Sequence, residues 1–247
     1  SENQFKSFSM CTISLVINSE ENSGFILTSN RDEAPGRETF PPDFYTVNNT
    51  RLLFPKDAVA GGTWIGVSKN KRVVCLMNGG FESHIRADNY RVSRGVVVKD
   101  ILAAEDPLLE IKSYNFQGIE PFTLILADWK KELFFYELVW DGAELHSKKL
   151  SLKNHIWSSS PLYSSEMKNL REAWFEELQV EKNLTYQNLW DFHHSAGTGN
   201  KYFDLVMDRG FIKTKSITQI IKTSEKISMI YEDLQKEEIS EKEFDID

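Results

Sequence analysis

The chain is short of cysteine, of excess positive charge and of long apolar runs. Its 247 residues hold two cysteines, Cys11 and Cys75. That is too few for a disulfide framework and suits a reducing compartment, so a cytoplasmic protein is expected. Acidic residues outnumber basic ones, 37 to 29, for a formal net charge of −8. A nucleic-acid binder would show a basic stripe, so nucleic acid is set aside as a partner. No apolar run approaches the ~20 residues that span a bilayer. Residues 1–9 are polar and lack the apolar stretch of a signal peptide, and are expected to be an extension or a tag. There is no internal repeat and no Cys/His cluster at zinc spacing, so no metal is expected.

What is present is a run of strands, then helices, then strands again. Residues 11–17 and 24–29 read as strands joined through the polar, turn-like Asn18 to Ser23. Residues 34–51 contain Pro35, Pro41 and Pro42 and read as a long irregular excursion, and Pro55-Lys56-Asp57 reads as a turn. Strands follow at 63–67 and 72–77, the second almost wholly apolar, as a central strand would be. Ser93 is positioned to cap a helix to Ala104, and Pro107 opens a short helix to Tyr114. Residues 122–127, 132–140 and 144–150 form a meander, and 155–159 a short strand. A helix from Ser164 or Ser165 to Leu178 carries Met167, Leu170, Trp174 and Leu178 along one face. A second helix runs from Thr185 to His194, and 216–222 with 226–231 closes the chain as a hairpin. With no domain-scale linker, one domain over 10–234 is expected, followed by an acidic, solvated tail over 235–247. The fold class is α+β.

The residues able to do chemistry gather near the first hairpin. Met10-Cys11-Thr12 opens one strand, and Asn30-Arg31-Asp32-Glu33 closes the next. If Cys11 became the first residue, a thiol and an α-amine would lie on one residue. Their ordinary pKa values, ~8.5 and ~7.7–8, are close enough for the amine to take the thiol proton. A nearby Arg31 would favour thiolate, and Asp32 would orient the ammonium. The competing reading makes Cys11 a buried small hydrophobe and Arg31-Asp32 a structural ion pair closing a strand. Asn30 and Glu33 read as turn and cap residues. Asn78, followed by Gly79 and Gly80, is either an oxyanion donor at a strand end, by its amide or the Gly79 N–H, or a plain Asn-Gly turn. His193-His194 reads as a surface helix end, with haem ligation as a remote alternative.

Taken together, Met10-Cys11-Thr12 and Asn30-Arg31-Asp32-Glu33 resemble the NRDE family, also called the transport and Golgi organisation protein 2 family. Gly61-Gly62-Thr63-Trp64-Ile65-Gly66, Met77-Asn78-Gly79-Gly80 and Arg91-Val92-Ser93-Arg94-Gly95 match further blocks of that family in order. The resemblance spans roughly residues 10–231. It implies a four-layer αββα sandwich like that of the N-terminal-nucleophile cysteine amidases, with Cys11, Arg31, Asp32 and Asn78 as catalytic residues. Trp64, Gly79, Ser159 and Lys215 are the expected substrate-binding positions. Two departures from the amidases stand out. Ser159, in Trp157-Ser158-Ser159-Ser160-Pro161, occupies the place of an oxyanion-hole asparagine, and Lys215 or Lys213 that of a late arginine; a lysine cannot reproduce an arginine fork. The expected partner is a small-molecule amide or another amphipathic ligand. No cofactor is required; the family's association with haem and lipid handling makes haem a possible ligand and a non-catalytic carrier the second reading.

Overall fold

A computed structural model of the chain describes residues 10–18, 24–159 and 164–245. Most of the expected turn after Asn18, and Ser160-Pro161, lie outside them. The described residues form two antiparallel sheets and four helices, an α+β architecture. Contacts divide the chain into two compact units. The first contains residues up to Arg37 and Lys153–Glu241; the second contains Glu38–Leu152 and the residues from Lys242 on. The chain passes between them three times, so no single linker marks the boundary in the sequence.

The first unit is built on a six-stranded sheet ordered β10-β1-β2-β11-β12-β13. Its strands are β1 (Met10–Asn18), β2 (Gly24–Glu33), β10 (His155–Ser158), β11 (Lys213–Lys222), β12 (Ile227–Asp233) and β13 (Glu238–Phe244). Side chains alternate across a strand, so Val16, Ile26 and Ile221 share one face. Helices α3 (Ser165–Glu181) and α4 (Tyr186–Ser195) pack there through Phe175, Leu189 and Phe192. Ser164 and Thr185 cap these helices, accepting from the backbone N–H groups of Met167 and Asn188.

The second unit is built on a seven-stranded sheet in sequence order, β3 (Thr39–Val47), β4 (Thr50–Asp57), β5 (Ile65–Ser68), β6 (Arg72–Asn78), β7 (Phe122–Asp128), β8 (Phe134–Trp140) and β9 (Leu145–Lys149). Helix α1 (Arg94–Ala103) packs on it with Val97, Val98, Ile101 and Leu102 against Val74, Leu76, Leu124 and Leu126, and α2 (Pro107–Ser113) adds Ile111. Asp106 caps α2 through the N–H groups of Leu108 and Leu109.

Two expectations need correction. The proline-rich 34–51 excursion contains strand β3, joined to β4 by Asn48 and Asn49 at φ 47° and 62°, a two-residue hairpin turn. Pro41 and Pro42 are tolerated because β3 is an edge strand whose register slips between Phe40 and Asp43. The acidic end is not a solvated tail throughout. Residues 238–244 form β13, whose alternation turns Phe244 inward and leaves Glu241 and Glu243 in solvent.

Candidate functional site

The ladder between β1 and β2 pairs Cys11 with Arg31 and Thr12 with Asn30. Directly opposed residues in an antiparallel pair project to the same face. Cys11 and Arg31 therefore share a face, and Thr12 and Asn30 take the other, which carries the helices. Cys11 is 2% exposed and Arg31 3%. On the other edge of β1, the Ser159 N–H donates to the Cys11 carbonyl at 3.1 Å.

Beyond Arg31 the same row continues to Ser216 on β11 and Asp233 on β12. A bulge between Thr214 and Ser216 leaves Lys215 as the extra residue. Its ammonium donates to the Pro35 carbonyl at 2.7 Å and to Gln235 Oε1. Burial pushes Lys215 below its ordinary pKa. Asp233 opposes that shift, and Arg31 and Lys213 add to it. Arg31 Nη2 meets Glu33 Oε2 at 3.5 Å, and Glu33 also meets Arg37 Nε at 3.7 Å and accepts from the Ala34 N–H at 2.9 Å. One end of the sheet thus gathers Cys11, Arg31, Glu33, Lys215 and Asp233. One row along, Ser29 and Thr218 oppose each other. The hydroxyls of Ser29, Thr218 and Ser216 are buried without a hydrogen-bond partner among the described residues.

Asp32 is where the expected constellation divides. Its carboxylate accepts from Thr214 Oγ1 at 2.5 Å, and that hydroxyl also lies 3.2 Å from the Leu205 carbonyl. Asn30 Nδ2 donates to the same Leu205 carbonyl, at 3.1 Å. Asp32 therefore lies with Asn30 on the helix face, opposite Cys11 and Arg31. The strand runs on through Glu33, so the alternation that sends Arg31 to one face sends its neighbour to the other.

Asn30 and Glu33 are not the turn and cap residues expected, because both are buried within β2. Asn30 Nδ2 also donates to the His193 carbonyl at 2.9 Å, so its Oδ1 faces His193 Nδ1 at 2.5 Å. That acceptor places the ring proton on Nδ1, and Nε2 accepts from Ser14 Oγ at 2.7 Å. His193 is fully buried, a correction to its reading as a surface residue, and burial drives its pKa down to about 3. His194 bonds the Trp190 carbonyl through Nδ1 and Glu232 through Nε2. All four ring nitrogens are engaged, so neither histidine can ligate a haem iron without giving up a hydrogen bond.

Asn78, Gly79 and Trp64 belong to the second unit. Asn78 pairs with Phe122, and the Gly79 N–H, one of the expected oxyanion donors, is engaged by the Pro121 carbonyl at 3.0 Å. Trp64 is buried, and its carbonyl accepts from the Leu76 N–H at 2.7 Å. Two glycines of the remaining blocks meet directly. A Cβ on Gly62 would lie 2.9 Å from the Gly95 backbone, and one on Gly95 2.9 Å from the Thr63 nitrogen. These blocks are a backbone crossing that admits no side chain.

Arg171 on α3 escaped the sequence reading. Of the expected stripe Met167, Leu170, Trp174 and Leu178, Met167 is buried and Trp174 and Leu178 are partly so, but the fully buried row is Met167, Arg171 and Phe175. The i, i+4, i+8 spacing was available as a signal, but it runs through a charged residue. Arg171 is 0% exposed; Nη1 donates to Thr12 Oγ1 at 2.8 Å, and Nη2 to the carbonyls of Phe203 and Asp204 at 3.2 and 3.1 Å.

A family model described as "Transport and Golgi organisation 2" matches residues 10–240. A curated relative, the Transport and Golgi organization protein 2 homolog of Bos taurus, is 32% identical over 112 residues, covering 43% of this chain and 40% of that protein. Among solved structures, the N-acylethanolamine-hydrolyzing acid amidase ortholog of Caenorhabditis elegans aligns with TM-score 0.58 at 13% identity, over 85% of this chain and 92% of its own. A variant of the conjugated bile acid hydrolase of Clostridium perfringens aligns with TM-score 0.52 at 9% identity, over 96% and 92%. At these identities the likeness to both structures establishes the fold. No helix among the described residues is long and apolar enough to cross a membrane.

Proposed function

We propose, from the premise that this chain belongs to the Transport and Golgi organisation 2 family, that it is a cysteine amidohydrolase cleaving the linear C–N bond of an acyl amide. The observation that carries this reading is Cys11 directly opposite Arg31 at the opening of β1. A guanidinium beside a buried thiol favours the thiolate, the form that attacks carbonyls. Lys215, on its bulge near Arg31, adds a second cation at the same sheet end.

The chemistry requires a chain whose α-amine is that of Cys11. That amine takes the thiol proton, and Sγ attacks the acyl carbon. The C–N bond breaks, the amine's proton passes to the departing nitrogen, and a thioester remains. Water then adds to the thioester, releasing the carboxylic acid and restoring the thiol. Both solved structures named above are hydrolases by name, one of N-acylethanolamines and one of conjugated bile acids. Acyl amides of those two kinds are the natural first substrates.

The test is turnover by a chain cleaved so that Cys11 is its first residue, offered N-acylethanolamines and conjugated bile acids, with the released amine measured. Expected is turnover that Cys11→Ser abolishes and Arg31→Met lowers on the order of 100-fold, the scale of losing a residue that stabilises a reacting charge. Absence of turnover across the panel by that chain overturns the reading.

A further inference from the structure

The buried guanidinium of Arg171 lies behind the residue that follows Cys11, and nothing in the sequence assigned it a part. We propose that Arg171 is a positioning residue for Cys11, mooring the opening of β1 from the helix face and adding a further buried cation on that face. The inference rests on the amidohydrolase reading for its purpose, though its geometry and its test stand apart from turnover.

The mooring has three ties. Arg171 Nη1 holds Thr12 Oγ1, and Nη2 holds the carbonyls of Phe203 and Asp204. Asn30, across the ladder from Thr12, holds the next carbonyl, Leu205, together with that of His193. Thr214 accepts from the Met207 N–H at 2.9 Å and bonds Asp32. Residues 203–207 are thus held by Arg171 on α3, which also holds Thr12 on β1, by Asn30 on β2 and by Thr214 on β11. The side chains that alternate with these strand residues on the opposite face are Cys11, Arg31 and Ser216. What sets the helix face in place sets the thiol in place, because strand side chains cannot turn to one face independently of the other.

The charge acts as well. Among the described residues around the opening of β1, the cations besides Arg171 include Arg31, Arg37, Lys213 and Lys215, with Lys168 one turn earlier on α3. The anions are Asp32, Glu33, Asp204 and Asp233. His193 on α4 is neutral across the working range. Burial alone would raise the thiol's pKa. A unit charge on the far face of one sheet, through protein of effective dielectric ~20, is worth on the order of one pH unit in the opposite direction. Removing the guanidinium charge therefore moves the Cys11 titration upward.

The experiment is a 13Cβ-cysteine NMR titration of the full chain, with the Cys11 signal identified by its loss in Cys11→Ser. Arg171→Met is expected to raise the Cys11 midpoint by about one pH unit, while Arg171→Lys, which keeps the charge, stays nearer the parent. Thr12→Val removes the acceptor at constant volume. It is expected to shift the Cys11 resonance and raise its midpoint by a smaller amount, in a chain that still folds. A purely structural Arg171 would lower the melting temperature of all three variants and leave the Cys11 midpoint unmoved, and that result overturns the proposal. Should Arg171→Met fail to fold, an unchanged midpoint and resonance in Thr12→Val overturns it equally. If these shifts appear while the chain cleaved to begin at Cys11 turns over no amide, the amidohydrolase reading falls and this one stands.

Discussion

The two sheets bury their central strands by opposite means. In the first unit, β2 runs Thr28-Ser29-Asn30-Arg31-Asp32-Glu33, six consecutive polar residues, all buried. In the second, β6 and β7 bury Val73 to Met77 and Leu124 to Ala127, which are apolar throughout. Apolar area removed from water stabilises without regard to direction, so the second sheet can hold its place by packing alone. Buried polar groups stabilise only when partnered, so the first sheet is held by a network that admits one geometry. Each unit also buries an arginine completely, Arg72 on β6 and Arg171 on α3. Arg72 meets the carboxylate of Asp128 at 3.1 Å and bonds the carbonyls at the end of α1. Arg171 binds a hydroxyl and two carbonyls beneath the candidate site. The second sheet is held mainly by packing, and the first by the polar network that surrounds the proposed site.

That contrast can be broken in four ways, taken from the largest expected effect to the smallest. The first uses pH. His193 in the first sheet's network has its pKa driven from 6.5 to about 3. Between those values the unfolded chain binds a proton that the folded chain refuses. Stability is therefore complete above about pH 6.5 and falls as the pH drops toward 3, by at most about 5 kcal/mol at the bottom of the window. Urea unfolding across pH 4–7 should show that slope, and His193→Gln should flatten it. An equal slope in both chains would place the acid sensitivity elsewhere. Next, Arg72→Met strands Asp128 in the second sheet and is expected to cost about 3–5 kcal/mol in the same assay; a loss under 1 kcal/mol would mean the pair contributes nothing to the scaffold.

Third, Gly62→Ala or Gly95→Ala drives a methyl into backbone at 2.9 Å and is expected to cost about 1–3 kcal/mol. Gly66→Ala meets mainly the flexible Leu102 Cδ1 at 2.7 Å and should cost less. A reversed order, read from melting temperatures, would refute the backbone crossing. The smallest effect has the opposite sign. Thr218→Val in the first sheet replaces a hydroxyl that lacks a partner with a methyl of similar volume, and should raise stability by about 1 kcal/mol. A loss instead would show that the hydroxyl is satisfied in the folded protein.

The fold was largely readable because most elements announce themselves locally. The meander of 122–150, the helix starts at Pro107, Ser164 and Thr185, and the Cys11 and Arg31 strands follow from short-range pattern. The misses share a cause, which is that long-range pairing overrode local preference. Pro41 and Pro42 argued against a strand that exists because β3 is an edge. Glu238 to Phe244 looked like solvated charge until β12 offered a partner. Asp32 could not be assigned a face without knowing that β2 continues to Glu33. Arg171 and His193 were hidden by the rule that charged and titratable residues face water, which fails where the sheet supplies hydrogen-bond partners.

The most direct test of the account is the intact mass of a chain beginning at Cys11, acid-quenched during turnover of an N-acyl p-nitroanilide, whose good leaving group lets acylation outrun hydrolysis. The expected result is one added acyl mass that maps to the peptide containing Cys11 and is missing from Cys11→Ser. An unmodified chain while p-nitroaniline accumulates, or an acyl group on any other residue, would contradict it.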